Sequence, residues 1–149
     1  MILRDAYLEY QIFVLKNFKR FHKDTLIKKT IKLLKPYDDS YESTKDAIEN
    51  AVKYGLLYVV LKDEKLVGIS VVVNFRLNGF IPTYHNAYLG IDKNHQRKGL
   101  AKRVVELSIV DAGGEMSLHV DLDNEAAQKI YSKLGYRHLY NRYLYGRAH

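Results

Sequence analysis

The stretch from Ala87 to Leu107 constrains this chain more than any other. The apolar run Ala87-Tyr88-Leu89-Gly90-Ile91 gives way to Asp92-Lys93-Asn94-His95, then to Gln96-Arg97-Lys98-Gly99-Leu100-Ala101, and then to apolar residues at helical spacing. A strand, a tight basic turn and a helix start must follow one another. The first N–H groups of a helix have no intrahelical partner, and the aligned peptide dipoles place partial positive charge there. Such an end binds anions. Gly99 lets the backbone approach a ligand closely and Ala101 leaves room beside it, while Arg97, Lys98, Lys102 and Arg103 add positive charge. The stretch reads as a pyrophosphate cradle, against the plainer reading of a surface turn with solvated charges. It is not a P-loop, since no Gly-Lys-Ser/Thr follows, and it is not the G-x-G-x-x-G of dinucleotide folds.

Composition limits what the turn can serve. At 149 residues the chain suits one domain, 1–149, and can bury most of its apolar surface without crosslinks. It has no cysteine, which excludes disulfides, thiolate catalysis and Cys-ligated metals. Its six histidines lack the spacings typical of zinc, so no metal is expected. No apolar stretch reaches the ~18 residues needed to span a bilayer, and the start Met1-Ile2-Leu3-Arg4-Asp5 does not read as a signal peptide. The expected location is cytoplasmic, with no membrane partner. Lys+Arg of 24 against Asp+Glu of 17 gives a net charge of +7, which favours a phosphorylated cofactor, an acidic substrate or nucleic acid.

From Arg4 to about Lys35 the spacing predicts helix, with Leu8, Ile12 and Leu15, then Ile27, Ile31 and Leu34, at i, i+4 and i+7, split near Asp24 or Thr25. No strand is evident ahead of it. Lys16, Lys19, Arg20, Lys23, Lys28, Lys29, Lys32 and Lys35 make this a basic segment. It reads as a solvated helix face or as a nucleic-acid surface, but no base-reading motif accompanies it, so nucleic acid is not the expected partner. Pro36 stops the helix, and the next one opens at a capping box, Ser43 with Asp46, turns Ala47, Ile48, Ala51 and Val52 inward and ends at Gly55. Leu56 to Leu61 and Leu66 to Phe75 predict a hairpin, Phe80 to Ile91 the next strand, and Met116 to Val120 a short one. A last helix carries Ala127, Ile130, Tyr131 and Leu134 on one face, and the aromatic stretch Tyr136 to Tyr145 predicts closing antiparallel strands.

Gln96-x-x-Gly99-x-Ala101, between an apolar strand and an amphipathic helix, resembles the acetyl-CoA-binding motif of the GNAT family of N-acetyltransferases. Asn124-x-x-Ala127-x-x-x-Tyr131-x-x-x-Gly135-Tyr136 resembles the second cofactor-side motif of that family. The two in this order are more specific than either alone. The resemblance implies an α/β single domain with a mixed, largely antiparallel central sheet flanked by helices. It also implies acetyl transfer from acetyl-CoA, as cosubstrate, to a primary amine of an unidentified small molecule or peptide. Cofactor contacts would come from Gln96, Arg97, Lys98, Gly99, Leu100, Ala101 and Lys102 at the phosphates, from main-chain groups of Leu89 and Ile91 along the pantetheine arm, and from Asn124, Ala127 and Tyr131.

In such a reaction an amine loses a proton, attacks a thioester carbonyl and expels a thiolate, so the site needs a base or water relay, an oxyanion donor and an acid. Tyr131 falls at the tyrosine that the resembled enzymes use to protonate the thiolate, and a phenol of pKa about 10 is protonated at neutral pH. Without the motif it is an aromatic in an apolar stripe. His85 lies where histone-acetylating members place a glutamate base, and an imidazole can serve as one. Tyr84 or Tyr88 holding water, or an amine already neutral, are other routes. Asn124 also reads as a plain N-cap. His119 and Asp121 are secondary candidates for the acceptor pocket, and Asp38, Asp39 and Glu42 form a loop that could attract a cationic amine or simply be solvated. The competing classes are a basic module that binds RNA or ribosomes through Lys16 to Lys35, and an acyl-CoA-binding sensor. A second copy of the chain, forming a homodimer, stays open as a partner.

Overall fold

Strands β1 (Ile2–Tyr7) and β2 (Tyr10–Leu15) form an antiparallel hairpin where the spacing of Leu8, Ile12 and Leu15 predicts helix. The computed structural model, which describes residues 1–146, explains the difference. Tyr10, Ile12 and Val14 are buried on one face of the sheet, while Phe13 and Leu15 join the apolar cluster on the other. A segment apolar on both sides and rich in β-branched and aromatic residues is an interior strand, and the helical spacing within it is incidental. Leu8 turns the hairpin at a φ of 54°.

Helix α1 (Lys23–Leu34) follows, then α2 (Tyr41–Lys53), β3 (Leu56–Lys62), β4 (Lys65–Asn74), β5 (Tyr84–Ile91), α3 (Leu100–Asp111), β6 (Ser117–Leu118) and α4 (Glu125–Lys133). α2 opens one turn earlier than the predicted capping box: Ser40 Oγ accepts from the Ser43 amide at 3.1 Å, so Ser43 is already inside the helix. The β3–β4 hairpin matches expectation, and Asp63 and Glu64 turn it with φ of 50° and 67°. The sheet order is β1-β2-β3-β4-β5-β6, with antiparallel neighbours except for the parallel pair β5 and β6. The fold is thus mixed α/β with a largely antiparallel sheet.

α1 and α2 cover one face of the sheet through Leu26, Ile27, Ile48 and Ala51, and α3 covers the other through Leu100 and Val104. Fully burying each of these leucine, isoleucine and valine side chains stabilises by about 1.5–3 kcal/mol. Gly90 lets α1 lie close to β5, because a Cβ there would stand 2.9 Å from Leu33 Cβ. Met1–His119 form one compact unit, which holds the sheet and α1 to α3, and the residues from Val120 onward form a second, which holds α4. The predicted strands in Tyr136 to Tyr145 are not formed. Leu139, Tyr140, Tyr143 and Leu144 are exposed, and the apolar residues recur at intervals of three and one, so no strand face would be uniformly apolar. The strand before Ile91 begins at Tyr84 rather than Phe80, and the Met116 to Val120 strand shortens to two residues. No helix among the described residues is long and apolar enough to cross a membrane.

Candidate active site

β5 carries one residue more than β4 opposite it. Val71 pairs with Tyr88 and Val72 with Asn86, so Ala87 bulges out of the ladder. β6 accompanies β5 only at His85 and Asn86. Among the described residues, the outer edge of β5 therefore runs from the bulge to Ile91 without a partner strand. The Asp92 amide donates to Val67 O at 2.8 Å, and alternation along an antiparallel ladder then directs the main-chain groups of Leu89 and Ile91 away from β4, towards that edge. Gln96 Nε2 donates to the Ile91 carbonyl at 2.9 Å, which leaves both groups of Leu89 and the Ile91 amide facing outward.

The edge leads into the turn. Asp92 Oδ1 accepts from the Asn94 amide at 2.9 Å, the Tyr10 hydroxyl meets His95 Nδ1 at 2.8 Å, and the Tyr7 hydroxyl donates to Lys98 O at 2.8 Å. Arg97 and Gly99 lie in the left-handed region at φ of 62° and 79°. The Arg103 amide makes the first intrahelical bond, to Gly99 O at 3.0 Å, and Gly99 has no side chain to cap the end. The amides of Leu100, Ala101 and Lys102 are thus without intrahelical acceptors. The Leu100 side chain is buried in the core, so only its main chain can meet a ligand. Gln96, Arg97, Lys98, Gly99 and Lys102 are exposed, Ala101 is half-buried, and the turn is open to solvent. Arg103, expected among the phosphate charges, is instead paired with Asp5 at 2.5 Å and lies over the Tyr7 ring.

His85 is 7% exposed. Its Nδ1 stands 2.8 Å from Ser117 Oγ, with the Phe75 ring at 5.2 Å and the His119 ring at 4.6 Å. The Tyr88 hydroxyl donates to Asp39 Oδ2 at 2.7 Å; burial first, and Asp39 second, push its pKa up, so it is a donor at neutral pH. Asp38 is paired with Lys35 at 2.7 Å, which holds its carboxyl below the usual range. Two acids of the loop are therefore already engaged.

In the second unit Asn124 caps α4, its Oδ1 accepting from the Ala127 amide at 3.2 Å. The Tyr131 ring meets that of Tyr136 edge-on at 5.5 Å, and burial raises the Tyr131 pKa, which keeps the phenol protonated. The structure gathers Leu89, Ile91 and Gln96 to Lys102 on one strand–turn–helix junction, whereas Asn124, Ala127 and Tyr131 share α4 and its cap. Sequence reasoning missed Tyr7 and Tyr10, which brace the turn from the N-terminal hairpin. The signal was there in the alternation of Tyr10, Ile12 and Val14.

The family model for the acetyltransferase (GNAT) family matches residues 15–136. The chain belongs to the GNAT acetyltransferase family. Its fold is similar to that of a possible acetyltransferase from Clostridium difficile 630, at 18% identity and a TM-score of 0.69, covering 95% of this chain and 100% of that one. It is also similar to a structure of the NatC complex bound to Gag peptide and CoA, at 17% identity and a TM-score of 0.72, covering 89% and 87%. A third similar fold is an aminoglycoside acetyltransferase from an uncultured soil metagenomic sample in complex with trehalose, at 17% identity and a TM-score of 0.65, covering 94% and 97%. No curated protein sequence matches the chain.

Proposed function

We propose that the chain, 1–149, works as one acetyl-CoA-dependent N-acetyltransferase domain acting on a primary amine. The observation that carries this is the exposed, uncapped start of α3 lying directly beyond the partnerless edge of β5. The amides of Leu100, Ala101 and Lys102 suit a diphosphate, with Arg97, Lys98 and Lys102 supplying charge and Gln96 holding the turn to β5. Leu89 and the Ile91 amide suit the amides of a pantetheine arm. From Asp92 back to Ala87 is roughly 17 Å of strand at ~3.3 Å per residue, comparable to an extended pantetheine arm, and on this reading the thioester lies beside the bulge.

Bound there, acetyl-CoA supplies an activated acyl group. His85 then accepts a proton from the amine, and Tyr131 donates one to the departing sulfur. Asn124 and Ala127 form the capped start of α4, the helix that carries Tyr131. The acceptor is a small molecule or a peptide; the NatC structure holds a peptide, and another similar protein is an aminoglycoside acetyltransferase. An RNA-binding role for Lys16 to Lys35 has less support, because Arg20, Lys23, Lys28 and Lys35 are paired with Glu64, Glu49, Asp24 and Asp38. Calorimetry with acetyl-CoA tests the cradle, and the absence of binding overturns it. Thiol release with peptide N termini, aminoglycosides, polyamines and amino acids tests turnover; tight binding without release in any case would make the protein a sensor.

A further inference from the structure

We infer that β1 is an interface strand through which two copies of the chain pair, antiparallel, about a two-fold axis that passes between Arg4 and Asp5. The inference concerns assembly and stands apart from the acetyl-transfer reading.

β1 ends the sheet, and among the described residues no strand lies on its outer side. Such an edge presents a row of N–H and C=O groups that another strand can take up. Native edges are commonly blunted by free lysines or by proline, and Ile2–Tyr7 contains neither. Its two charged residues are turned onto α3, where Arg4 Nε donates to Asp111 at 3.0 Å and Asp5 accepts from Arg103 at 2.5 Å. Ile2 and Leu3 are 53% and 52% exposed instead.

The register of the hairpin makes a second copy the fitting partner. Tyr7 and Tyr10 close its two-residue turn, so their main-chain groups bond one another, and alternation then directs those of Ala6 outward and those of Asp5 towards β2. In a regular strand Leu3 and Ala6, three residues apart, would point to opposite sides. The bulge between Leu3 and Asp5 takes up Arg4, which turns the groups of Leu3 outward as well. An antiparallel copy that sets its Ala6 against Leu3 therefore meets outward groups with outward groups, and the two-fold axis repeats the match at the other end. The same register places Arg4 beside Asp5 of the second copy, so the charges nearest the axis are opposite in sign. Leu3 and Ala6 face the same side of the sheet, since their partners in β2 are Phe13 and Gln11, and the pairing brings the two apolar side chains of each copy together there.

Sedimentation equilibrium of the whole chain over a concentration series should show a monomer–dimer equilibrium. Ala6→Pro removes the outward N–H from both copies and leaves the bonds to β2 in place, so the dimer dissociation constant should rise by ~10-fold or more. Ala6→Lys keeps that N–H, adds a charge to the edge and should weaken the dimer too, which guards against a proline variant that fails to fold. Cross-linking tests the register. The chain has no cysteine, and Cα atoms of a hydrogen-bonded pair stand about 5.5 Å apart, within disulfide reach. Oxidising a mixture of Leu3→Cys and Ala6→Cys should therefore yield a covalent dimer, and neither variant alone should do so. A wild-type chain that stays monomeric at every concentration overturns the interface, as does a dimer that neither Ala6→Pro nor Ala6→Lys weakens. A covalent dimer from Leu3→Cys alone overturns the register.

Discussion

Substitution of Gly99 separates helix stability from anion binding, because two replacements should rank oppositely on the two measures. Gly99 sits at φ 79° and ψ 9°, and a Cβ there would stand 2.9 Å from Tyr7 Oη. In Gly99→Ala the left-handed conformation costs about 1–2 kcal/mol. Tyr7 must also swing away from Lys98 O, losing a hydrogen bond worth roughly 0.5 kcal/mol at this exposed site. The total is about 2 kcal/mol, read as a lower urea midpoint at unchanged slope. Gly99→Asp meets the same Cβ contact, but aspartate tolerates the left-handed region better and its carboxylate can cap the open amides, which recovers about 1 kcal/mol. That same carboxylate occupies the donors a diphosphate would use and repels its charge, so affinity for CoA should fall by at least ~10-fold, and less so at high salt. The expected order is therefore glycine, aspartate, alanine for stability and glycine, alanine, aspartate for affinity. Equal CoA affinity in Gly99→Asp and the wild type would refute the cradle. Tyr7→Phe, which removes only the hydrogen bond, serves as the control.

Tyr131→Phe should lower kcat by ~10-fold or more while sparing the Kd for acetyl-CoA, measured by thiol release and calorimetry; equal rates would make Tyr131 an apolar packing residue. Asp111 accepts from Tyr58 at 2.8 Å and from Arg4 Nε at 3.0 Å, tying α3 to β3 and β1. Burial raises its pKa, but Arg4 and Tyr58 outweigh this and the net shift is downward. The stabilisation is present above the unfolded carboxyl value of about 4 and is lost as pH falls through the lower folded value. Urea titrations of Asp111→Asn and wild type should then differ most near pH 7 and converge in strong acid. Gly55→Ala should destabilise towards the upper end of ~1–3 kcal/mol, since its Cβ would come within 2.1 Å of Val72 O; an unchanged urea midpoint would contradict the close packing of α2 on β4.

What could be read from the sequence was what neighbouring residues decide among themselves. The turn before α3 is local: a left-handed glycine, free amides and basic side chains all lie within a few residues. The Asn124 cap and the β3–β4 hairpin are local too. The N-terminal hairpin was not legible, because Leu8, Ile12 and Leu15 satisfy a helical template, and both faces of β2 are buried only by distant elements, α1 and α2 on one side of the sheet and α3 on the other. At α2 two serines three apart could each serve as cap, and the helix begins at the first. His85 was named for its place on the strand, but the contact with Ser117 spans 32 residues and depends on a two-residue parallel pairing that leaves no periodicity to find.

On the proposed function, the N-terminal hairpin also explains how the turn would serve as an anion site. A loop that displays both donors and acceptors binds water or itself as readily as a phosphate, so an effective cradle must have its acceptors occupied from within. Here the Lys98 carbonyl is taken by Tyr7, the Ile91 carbonyl by Gln96 and the Asp92 carboxylate by the Asn94 amide. Tyr10 engages His95, and Asp5 neutralises Arg103, so the hairpin reaches across 85 to 98 residues of sequence to fix the underside of the turn. What remains on the outer side is mostly donors and positive charge, held in place before any ligand arrives. Fixed dipoles of one sign cost no reorganisation on binding, and on the proposed function that preorganisation, more than the count of lysines and arginines, would distinguish this turn from a solvated basic loop.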